Sequence, residues 1–231
     1  MSTHEHDHQH EHEHGHDHGH EPEPFTGTTE EFWEAHYGKK AQVWSGRVNP
    51  VMAAEVAGLT PGRALDLGSG EGGDAIWLAH QGWTVTAADV SPTALERLTD
   101  RAAAEGLADR IVPVRVDLTE TFPAGEFDLV SAQFLQSPIE LPRGQVLRQA
   151  MAAIAPGGVL LSVSHAAFPP WSQHHGEHIH FPTPEEELAE LDVPADGWTV
   201  ARCEVVEREG MGPEGQAGTL FDAVLLLRRA G

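Results

Sequence analysis

The sequence predicts an α/β fold, a doubly wound parallel sheet with helices on both faces. Short apolar runs bounded by Gly, Pro or Asp alternate along the chain with segments whose apolar residues recur at helical spacing. This alternation favours parallel strands joined by crossover helices. The last two β-rich runs are joined by a Gly-rich loop, with no helix long enough for a crossover. We therefore expect them to pair antiparallel at the sheet edge.

The elements follow in chain order. Asn49-Pro50 predicts a helix that runs to about Gly58, because Asn caps a helix and Pro fits its first turn. The predicted strands are 63–67, 83–89, 111–117, 127–133, 159–164, 198–207 and 219–228. The predicted helices are 74–81, 92–106 and 146–154, the last ended by Pro156-Gly157-Gly158. The stretch PEEELAELD, from Pro184, is also helix-like.

Composition and charge narrow the class of protein. The 231 residues, of which 40% are hydrophobic, suit one globular domain, and the formal net charge is −22. Such a charge repels a phosphate backbone, so we expect a small-molecule or cationic partner and no nucleic acid. No apolar run is long enough for a membrane span, the start lacks the pattern of a secretory signal, and Cys203 is the single cysteine. We expect a cytoplasmic protein without a disulfide or a membrane partner.

Residues 1–24 differ in composition from the rest, and we expect a disordered His-rich tail followed by a domain over 25–231. Every second residue of HEHDHQHEHEHGHDHGH is a histidine, and such imidazoles chelate divalent transition metals such as Zn or Ni. The histidines are His4, His6, His8, His10, His12, His14, His16, His18 and His20. Alternation with acids favours a native tract, although a purification tag stays open.

The stretch ALDLGSGEGGDAIWLA, residues 64–79, carries the main functional signal. Its glycines let the backbone approach a ligand at the carboxyl end of the first strand, where open α/β sheets bind ligands. The spacing fits both GxGxG and GxGxxG, so the glycines do not choose the ligand. A carboxylate at Asp66 opposes a pyrophosphate and favours the sulfonium and ammonium of S-adenosylmethionine. Asp89 lies where a carboxylate meets ribose hydroxyls, and Asp117 lies where an acceptor meets an adenine amino group. The structural alternative for each acid is a capping or solvated carboxylate.

The motifs LDLGSGEG, AADVSP, VDL, FDLVSAQF and APGGVLLSVSH occur in order. With them the chain resembles the class I S-adenosylmethionine-dependent methyltransferases, from about residue 30 to its end. The resemblance implies a Rossmann-like seven-stranded sheet, order 3-2-1-4-5-7-6, with strand 7 antiparallel. It also implies methyl transfer with S-adenosylmethionine as the cofactor. The finer resemblance is to small-molecule branches such as the tellurite- and thiopurine-methylating enzymes.

The expected cofactor contacts follow the family pattern, with Ser69 at a position where many relatives carry cysteine. They are Asp66, Gly68, Ser69, Gly70, Gly72, Asp89, Val90, Asp117, Leu118 and Gln133. For contact with the methyl acceptor or proton transfer, the candidates are His165, Gln136 and Tyr37. A histidine merely hydrogen-bonded at a strand end is the alternative for His165.

Two segments are expected to enclose the substrate. The first is an N-terminal cover, residues 25–60, and the second is a His-rich lid loop, residues 166–184. The loop contains His174, His175, His178 and His180, which could bind a transition metal or form a polar loop without a special role.

Two other functions stay open from the sequence. One is a metal-handling protein that uses the methyltransferase-like fold as a cofactor-gated scaffold. The other is an NAD-dependent oxidoreductase that uses the same glycine loop, which the charge of Asp66 disfavours.

Overall fold

The computed structural model describes residues 25–172 and 180–231. The strands are β1 (Arg63–Leu67), β2 (Thr84–Asp89), β3 (Ile111–Arg115), β4 (Phe127–Gln133), β5 (Ile154–His165), β6 (Trp198–Met211) and β7 (Ala217–Arg229). The helices are α1 (Thr29–Tyr37), α2 (Pro50–Val56), α3 (Gly73–His80), α4 (Pro92–Ala104), α5 (Arg143–Ala152) and α6 (Pro184–Leu191). The tail 1–24, with His4 to His20, and the lid-loop residues His174, His175 and His178 lie outside the described residues.

The strands form one sheet in the order β3-β2-β1-β4-β5-β7-β6. β1 pairs parallel with β2 and β4, β2 with β3, and β4 with β5, whereas β7 pairs antiparallel with both β5 and β6. The predicted α/β class, strand order and antiparallel strand 7 are therefore confirmed.

Helices cover both faces of the sheet, and each face has its own apolar core. On one face Met52 of α2, Ile76 of α3 and Leu98 of α4 are buried with Ala64 of β1. On the other, Leu147 of α5 and Leu191 of α6 are buried with Leu65 and Leu67 of β1. Alternate residues of one parallel strand thus enter opposite cores, because successive side chains point to opposite faces.

Local signals explain several boundaries. Asn49 caps α2 by accepting from Val51 N, and Ser91 caps α4 by accepting from Ala94 N. α6 begins with a capping box between Thr183 and Glu186. The helix predicted over 146–154 is wrong at its end. α5 stops at Ala152, and Ile154 starts β5, where it pairs with Phe127 of β4.

The sheet has β3 at one edge and β6 at the other. β3 contains Pro113, and β3 ends two residues earlier than predicted. β6 and β7 form a long hairpin, interrupted by a register shift between Val200 and Arg202. Within residues 25–172 and 180–231, no helix has the length and apolar character needed to cross a membrane.

Candidate active site

The loop between β1 and α3 follows a path that requires glycine. Gly68, Gly70 and Gly72 have φ of 67°, 52° and 80°, in the left-handed region that side chains disfavour. A Cβ atom added to Gly70 would lie 2.8 Å from the hydroxyl of Tyr37. One added to Gly72 would lie 2.5 Å from a methyl group of Leu98. Both conformation and close packing therefore fix this loop.

Asp89, at the end of β2, joins that loop through its carboxylate. Its Oδ2 accepts from Gly70 N at 2.8 Å, and its Oδ1 accepts from Ser91 N at 2.9 Å. A second loop amide, Gly72 N, donates to the carbonyl of Ser69 at 2.9 Å. These two amides are satisfied within the protein. They are not donors available to a pyrophosphate, which disfavours the dinucleotide alternative.

Three carboxyl groups lie beneath the loop: Asp66 of β1 and Asp89 are buried, and Asp74 of α3 is half-buried. Burial is the main cause that raises the pKa of each, and that of Asp74 reaches about 6. The Ser131 hydroxyl and the Ala75 amide oppose this rise in the pKa of Asp66. The neighbouring charges that act on Asp66 and Asp89 are those of other carboxylates. A cationic ligand would be stabilised here.

The segment from α1 to α2 lies over the loop, and a buried carboxylate holds it there. Glu71 accepts from Val43 N at 3.0 Å, from Trp44 N at 2.8 Å and from the Arg97 guanidinium at 2.7 Å. Arg97 also donates to the carbonyl of Tyr37 at 3.1 Å. The main chain of the cover is thus bonded to the glycine loop and to α4.

Two further side chains, Glu34 and Asn49, bind the cover to α4, to α3 and to β4. Glu34 of α1 accepts from the Ser91 hydroxyl and from Thr93, at the start of α4. Asn49 N donates to Asp74 Oδ1 at 2.7 Å, and Asn49 Nδ2 donates to Gln133 Oε1 at 3.0 Å. The cover therefore reaches the ends of both α3 and β4.

Tyr37 lies between the cover and the glycine loop. Its hydroxyl accepts from Trp44 Nε1 at 3.0 Å, and its side chain is 3% exposed. Burial raises the pKa of Tyr37 above its ordinary value, so the phenol stays protonated at neutral pH. The arrangement suits a residue that positions the cover over Gly70 better than one that accepts a proton.

The ends of β4 and β5 carry the other candidates. Gln133 Nε2 donates to the Ser131 hydroxyl at 3.0 Å, so both ends of its amide bond to protein. Gln136 Oε1 accepts from His165 N at 2.8 Å, and its Nε2 approaches His165 O at 3.4 Å. Gln136 thus fixes the main chain of His165.

The His165 imidazole itself stacks on Phe134, with ring centroids 4.3 Å apart. Burial lowers the pKa of His165, the Asp222 carboxylate opposes this, and the Arg208 guanidinium adds to it. His165 is therefore neutral at neutral pH and able to accept a proton.

The remaining cofactor candidates surround the loop. Asp117 Oδ1 accepts from the amide and hydroxyl of Thr119, at 2.9 and 2.7 Å, so the local turn uses one of its oxygens. Leu118 packs against the core that contains Leu147, and the Val90 amide opposes the rise in the pKa of Asp89. The hydroxyl of Ser69 is buried, with no hydrogen-bond partner in the described part of the chain.

These residues fit a cationic nucleoside. The loop is bare of side chains at Gly68, Gly70 and Gly72, the Ser69 hydroxyl lacks a partner among the described residues, and the nearby charges are carboxylates. A ligand with a sulfonium and an ammonium supplies the positive charge that these acids lack.

The described parts of the lid loop pack on the β6–β7 hairpin. Trp171 lies over Gly210, Gly212 and Gly218, where an added Cβ would meet its indole at 3.3, 2.8 and 3.3 Å respectively. Phe168 and Phe181 contact edge to face, which joins the two sides of the loop. The tip of this hairpin lies beyond the carboxyl end of β5, where His165 is located.

No group of three or more His, Cys, Asp or Glu side chains that could hold a metal ion occurs in residues 25–172 and 180–231. His180 lies 3.1 Å from Glu186 instead. The other histidines of the proposed metal clusters lie outside that part of the chain.

Sequence reasoning missed the residues that hold the cover: Glu34, Asn49 as a partner of Gln133, Glu71, Asp74 and Arg97. Their partners are distant in sequence, so no local pattern reveals them. One signal was readable, because Thr28 and Glu31 form a capping box that predicts α1.

Comparisons with known proteins agree with this geometry. A family model described as a methyltransferase domain matches residues 64–158. The 2-heptyl-1-hydroxyquinolin-4(1H)-one methyltransferase of Mycobacteroides abscessus is 34% identical over 147 residues, covering 62% of this chain and 61% of that protein. The ribosomal RNA small subunit methyltransferase C of Alcanivorax borkumensis is 32% identical over 117 residues, covering 47% of this chain and 34% of that protein.

A solved structure described as "Conversion of a Disulfide Bond into a Thioacetal Group during Echinomycin Biosynthesis" is 28% identical, with a TM-score of 0.64. The match covers 87% of this chain and 93% of that chain. The chain spans about a third of the length of the Alcanivorax borkumensis relative and three fifths of the length of the Mycobacteroides abscessus relative. The glycine loop with its buried acids, the sheet order and these matches support one conclusion: residues 64–158 form a methyltransferase domain, and the chain is similar to the class I S-adenosylmethionine-dependent methyltransferases.

Proposed function

We propose that the protein transfers a methyl group from S-adenosylmethionine to a small-molecule acceptor. The observation that carries this proposal is a group of three carboxyls under a bare glycine loop, the buried Asp66 and Asp89 and the half-buried Asp74. A cation without phosphate suits that environment. When bound, S-adenosylmethionine supplies an electrophilic methyl group on a sulfonium.

The cofactor contacts that we propose are Asp66, Gly68, Ser69, Gly70, Gly72, Asp89, Val90, Asp117, Leu118 and Gln133. Asp89 orients the loop through Gly70 N and keeps acceptor capacity for ribose hydroxyls, since each carboxylate oxygen accepts more than one hydrogen bond. The Ser69 hydroxyl is a donor without a partner in the described residues.

At the acceptor side, we propose that the neutral His165 imidazole contacts the acceptor or takes its proton. Gln136 positions His165, and Tyr37 holds the cover over Gly70 and excludes water. We propose residues 25–60 as the cover and residues 166–184 as the lid, whose described part contacts the hairpin through Trp171.

A small-molecule acceptor is favoured by charge and by one relative. The net charge of −22 opposes binding of a polyanion, and the Mycobacteroides abscessus relative is named for a hydroxyquinolone. The Alcanivorax borkumensis relative is named for ribosomal RNA, and it shares less of its length with this chain.

Calorimetry tests the proposal. We expect S-adenosylhomocysteine to bind with micromolar affinity and NAD to cause no thermal shift, because the loop offers carboxylates where a pyrophosphate needs donors. Transfer of labelled methyl from S-adenosylmethionine to a panel of small molecules then tests the reaction. Absence of S-adenosylhomocysteine binding at protein concentrations well above micromolar would refute it.

We further propose that the His-rich tail, residues 1–24, chelates divalent transition metals independently of methyl transfer. Nine histidines at alternate positions support this. A chain starting at residue 25 is the test: we expect Ni and Zn binding to collapse while S-adenosylhomocysteine affinity is unchanged. Loss of both together would favour a metal-handling scaffold instead.

A further inference from the structure

Four side chains from four separate elements meet near the carboxyl end of β5. They are Phe134 after β4, His165 of β5, Arg208 of β6 and Asp222 of β7, and we name them the Arg208 corner. Asp222 lies directly opposite His165 in the strand register, and Arg208 bonds to Asp222. The corner therefore lies at the carboxyl ends of the parallel strands, where the proposed function places the methyl acceptor.

The arginine in this corner is held rigidly. Asp222 is fully buried, and its carboxylate accepts from Arg208 Nε at 2.5 Å and from Nη2 at 3.4 Å. A buried carboxylate needs such a partner, so the guanidinium is fixed in place. In the described residues, both hydrogen bonds of Arg208 go to Asp222. A guanidinium has five N–H donors, and the Arg208 side chain is 22% exposed. Donors are thus left for a ligand.

A flat aromatic surface lies beside this guanidinium. Phe134 and His165 stack with their rings inclined by 22°, and the Arg208 guanidinium carbon lies 5.8 Å from the Phe134 ring centre. Phe134 has φ of 52°, which is costly for an aromatic residue. Hydrogen bonds from Phe134 N to Val163 O and from Gln136 N to Phe134 O, both 2.7 Å, hold this conformation.

The remaining N–H donors of Arg208 favour a small anion bound in one geometry. Asp222 neutralises Arg208, and His165 is uncharged, so the corner presents oriented donors in place of a strong positive field. Elsewhere the chain carries a large negative charge that repels anions. A planar molecule with a carboxylate or similar group could place its ring on the aromatic stack and its oxygens on the guanidinium, which suits such forked pairing.

We infer that the methyl acceptor is a planar anion, whose ring extends the Phe134–His165 stack and whose acidic group accepts hydrogen bonds from Arg208. This inference rests on the proposed function. It makes Arg208 a specificity-determining residue and Asp222 its positioning residue.

Matched pairs of probes test it on the full-length protein. Benzoate, 2-naphthoate and quinoline-4-carboxylate are each compared with the corresponding carboxamide, which keeps the ring and removes the charge. Affinities are measured by calorimetry with and without saturating S-adenosylhomocysteine. We expect at least one carboxylate to bind about tenfold more tightly than its amide, as expected for a charge-assisted pair.

Three variants then test whether Arg208 causes the preference for the carboxylate over the carboxamide. In Arg208→Gln/Asp222→Asn no buried carboxylate is left without a partner, and we expect the preference to vanish. Arg208→Lys keeps the ion pair but loses the forked donor set, so we expect the preference to fall even if the double variant does not fold. Arg202→Gln/Glu55→Gln is the matched control, because Arg202 of β6 pairs with Glu55 of α2. We expect it to behave as wild type.

The outcomes separate the two proposals. Failure of S-adenosylhomocysteine to bind refutes the proposed function, whatever the probes do. If S-adenosylhomocysteine binds and no carboxylate is preferred, or the preference survives in both Arg208 variants, the inference alone is overturned.

Discussion

The carboxylate of Asp89 accepts a hydrogen bond from the main-chain N–H of Gly70 at 2.8 Å, which couples the end of β2 to the loop after β1. Ser91 N donates to the other oxygen of the same carboxylate, so one side chain holds two loops of the candidate site. The shape of the glycine loop thus depends on an acid 19 residues further along the chain.

Asp89→Asn is expected to weaken S-adenosylhomocysteine binding by at least about tenfold, since one backbone amide would face a donor instead of an acceptor. Calorimetry measures this. Asp128→Asn is the control. Asp128 also accepts a hydrogen bond from a backbone amide, that of Arg63, but it lies at the start of β4, away from the candidate site. Equal effects of the two substitutions would argue against a role of Asp89 in the ligand site.

Gly70→Ala is expected to abolish detectable S-adenosylhomocysteine binding and to lower stability by more than the roughly 1–2 kcal/mol of a left-handed alanine. The added methyl would lie 2.8 Å from the Tyr37 hydroxyl. Gly106→Ala is a matched control, because Gly106 has φ of 71° and its added Cβ meets nothing within 4 Å. Denaturant unfolding of Gly106→Ala should therefore show only the loss of stability caused by a left-handed alanine, and S-adenosylhomocysteine should bind as in wild type.

Glu71→Gln is expected to loosen the cover, because the substitution removes the negative charge that Val43 N, Trp44 N and Arg97 share. Hydrogen exchange at the Val43 and Trp44 amides should accelerate, and S-adenosylhomocysteine affinity should fall several-fold. Glu105→Gln, which affects a surface pair with Arg101 and His80, serves as control. Unchanged exchange at Val43 and Trp44 would show that Glu71 does not hold the cover.

Stability should fall as the pH rises through the pKa of Asp74. Its pKa is about 6 in the folded protein, above the ordinary value of 3.8. The folded state thus binds more protons between these values, and unfolding becomes easier as the proton is lost. The difference corresponds to about 3 kcal/mol over the full titration, from well below pH 3.8 to well above pH 6.

Denaturant unfolding of wild type and Asp74→Asn across that range measures the effect. We expect a flatter profile for the variant, while Asp192→Asn, at a left-handed helix cap that asparagine tolerates, should keep the wild-type slope. A variant profile as steep as wild type would assign the pH dependence to other groups.

The sequence predicted the central sheet more closely than the periphery. β1 and β4 have the predicted bounds, because strands buried on both faces appear as apolar runs between turn residues. Ile154 continues a helical repeat, which predicts a helix there, yet its pairing with Phe127 decides its structure. Strand pairing is a tertiary interaction and overrides local pattern.

The candidate site divides in the same way. Glycines and acids at strand ends were identifiable from order and spacing alone. The contacts that assemble the site were not, because the Asn49–Gln133 and Glu71–Trp44 hydrogen bonds join residues far apart in sequence. The pairing of Arg208 with buried Asp222 depends on the register of a hairpin, which composition does not reveal.

Pro113 in β3 and the register shift between Val200 and Arg202 in β6 have a common consequence for self-association. Proline lacks a backbone donor, and an irregular strand with exposed Glu204, Glu207 and Glu209 does not offer a flat, neutral partner. Both margins of the sheet are therefore poor templates for a strand from another molecule. We therefore expect that variants of the candidate site do not associate through these edge strands at the protein concentrations that calorimetry requires.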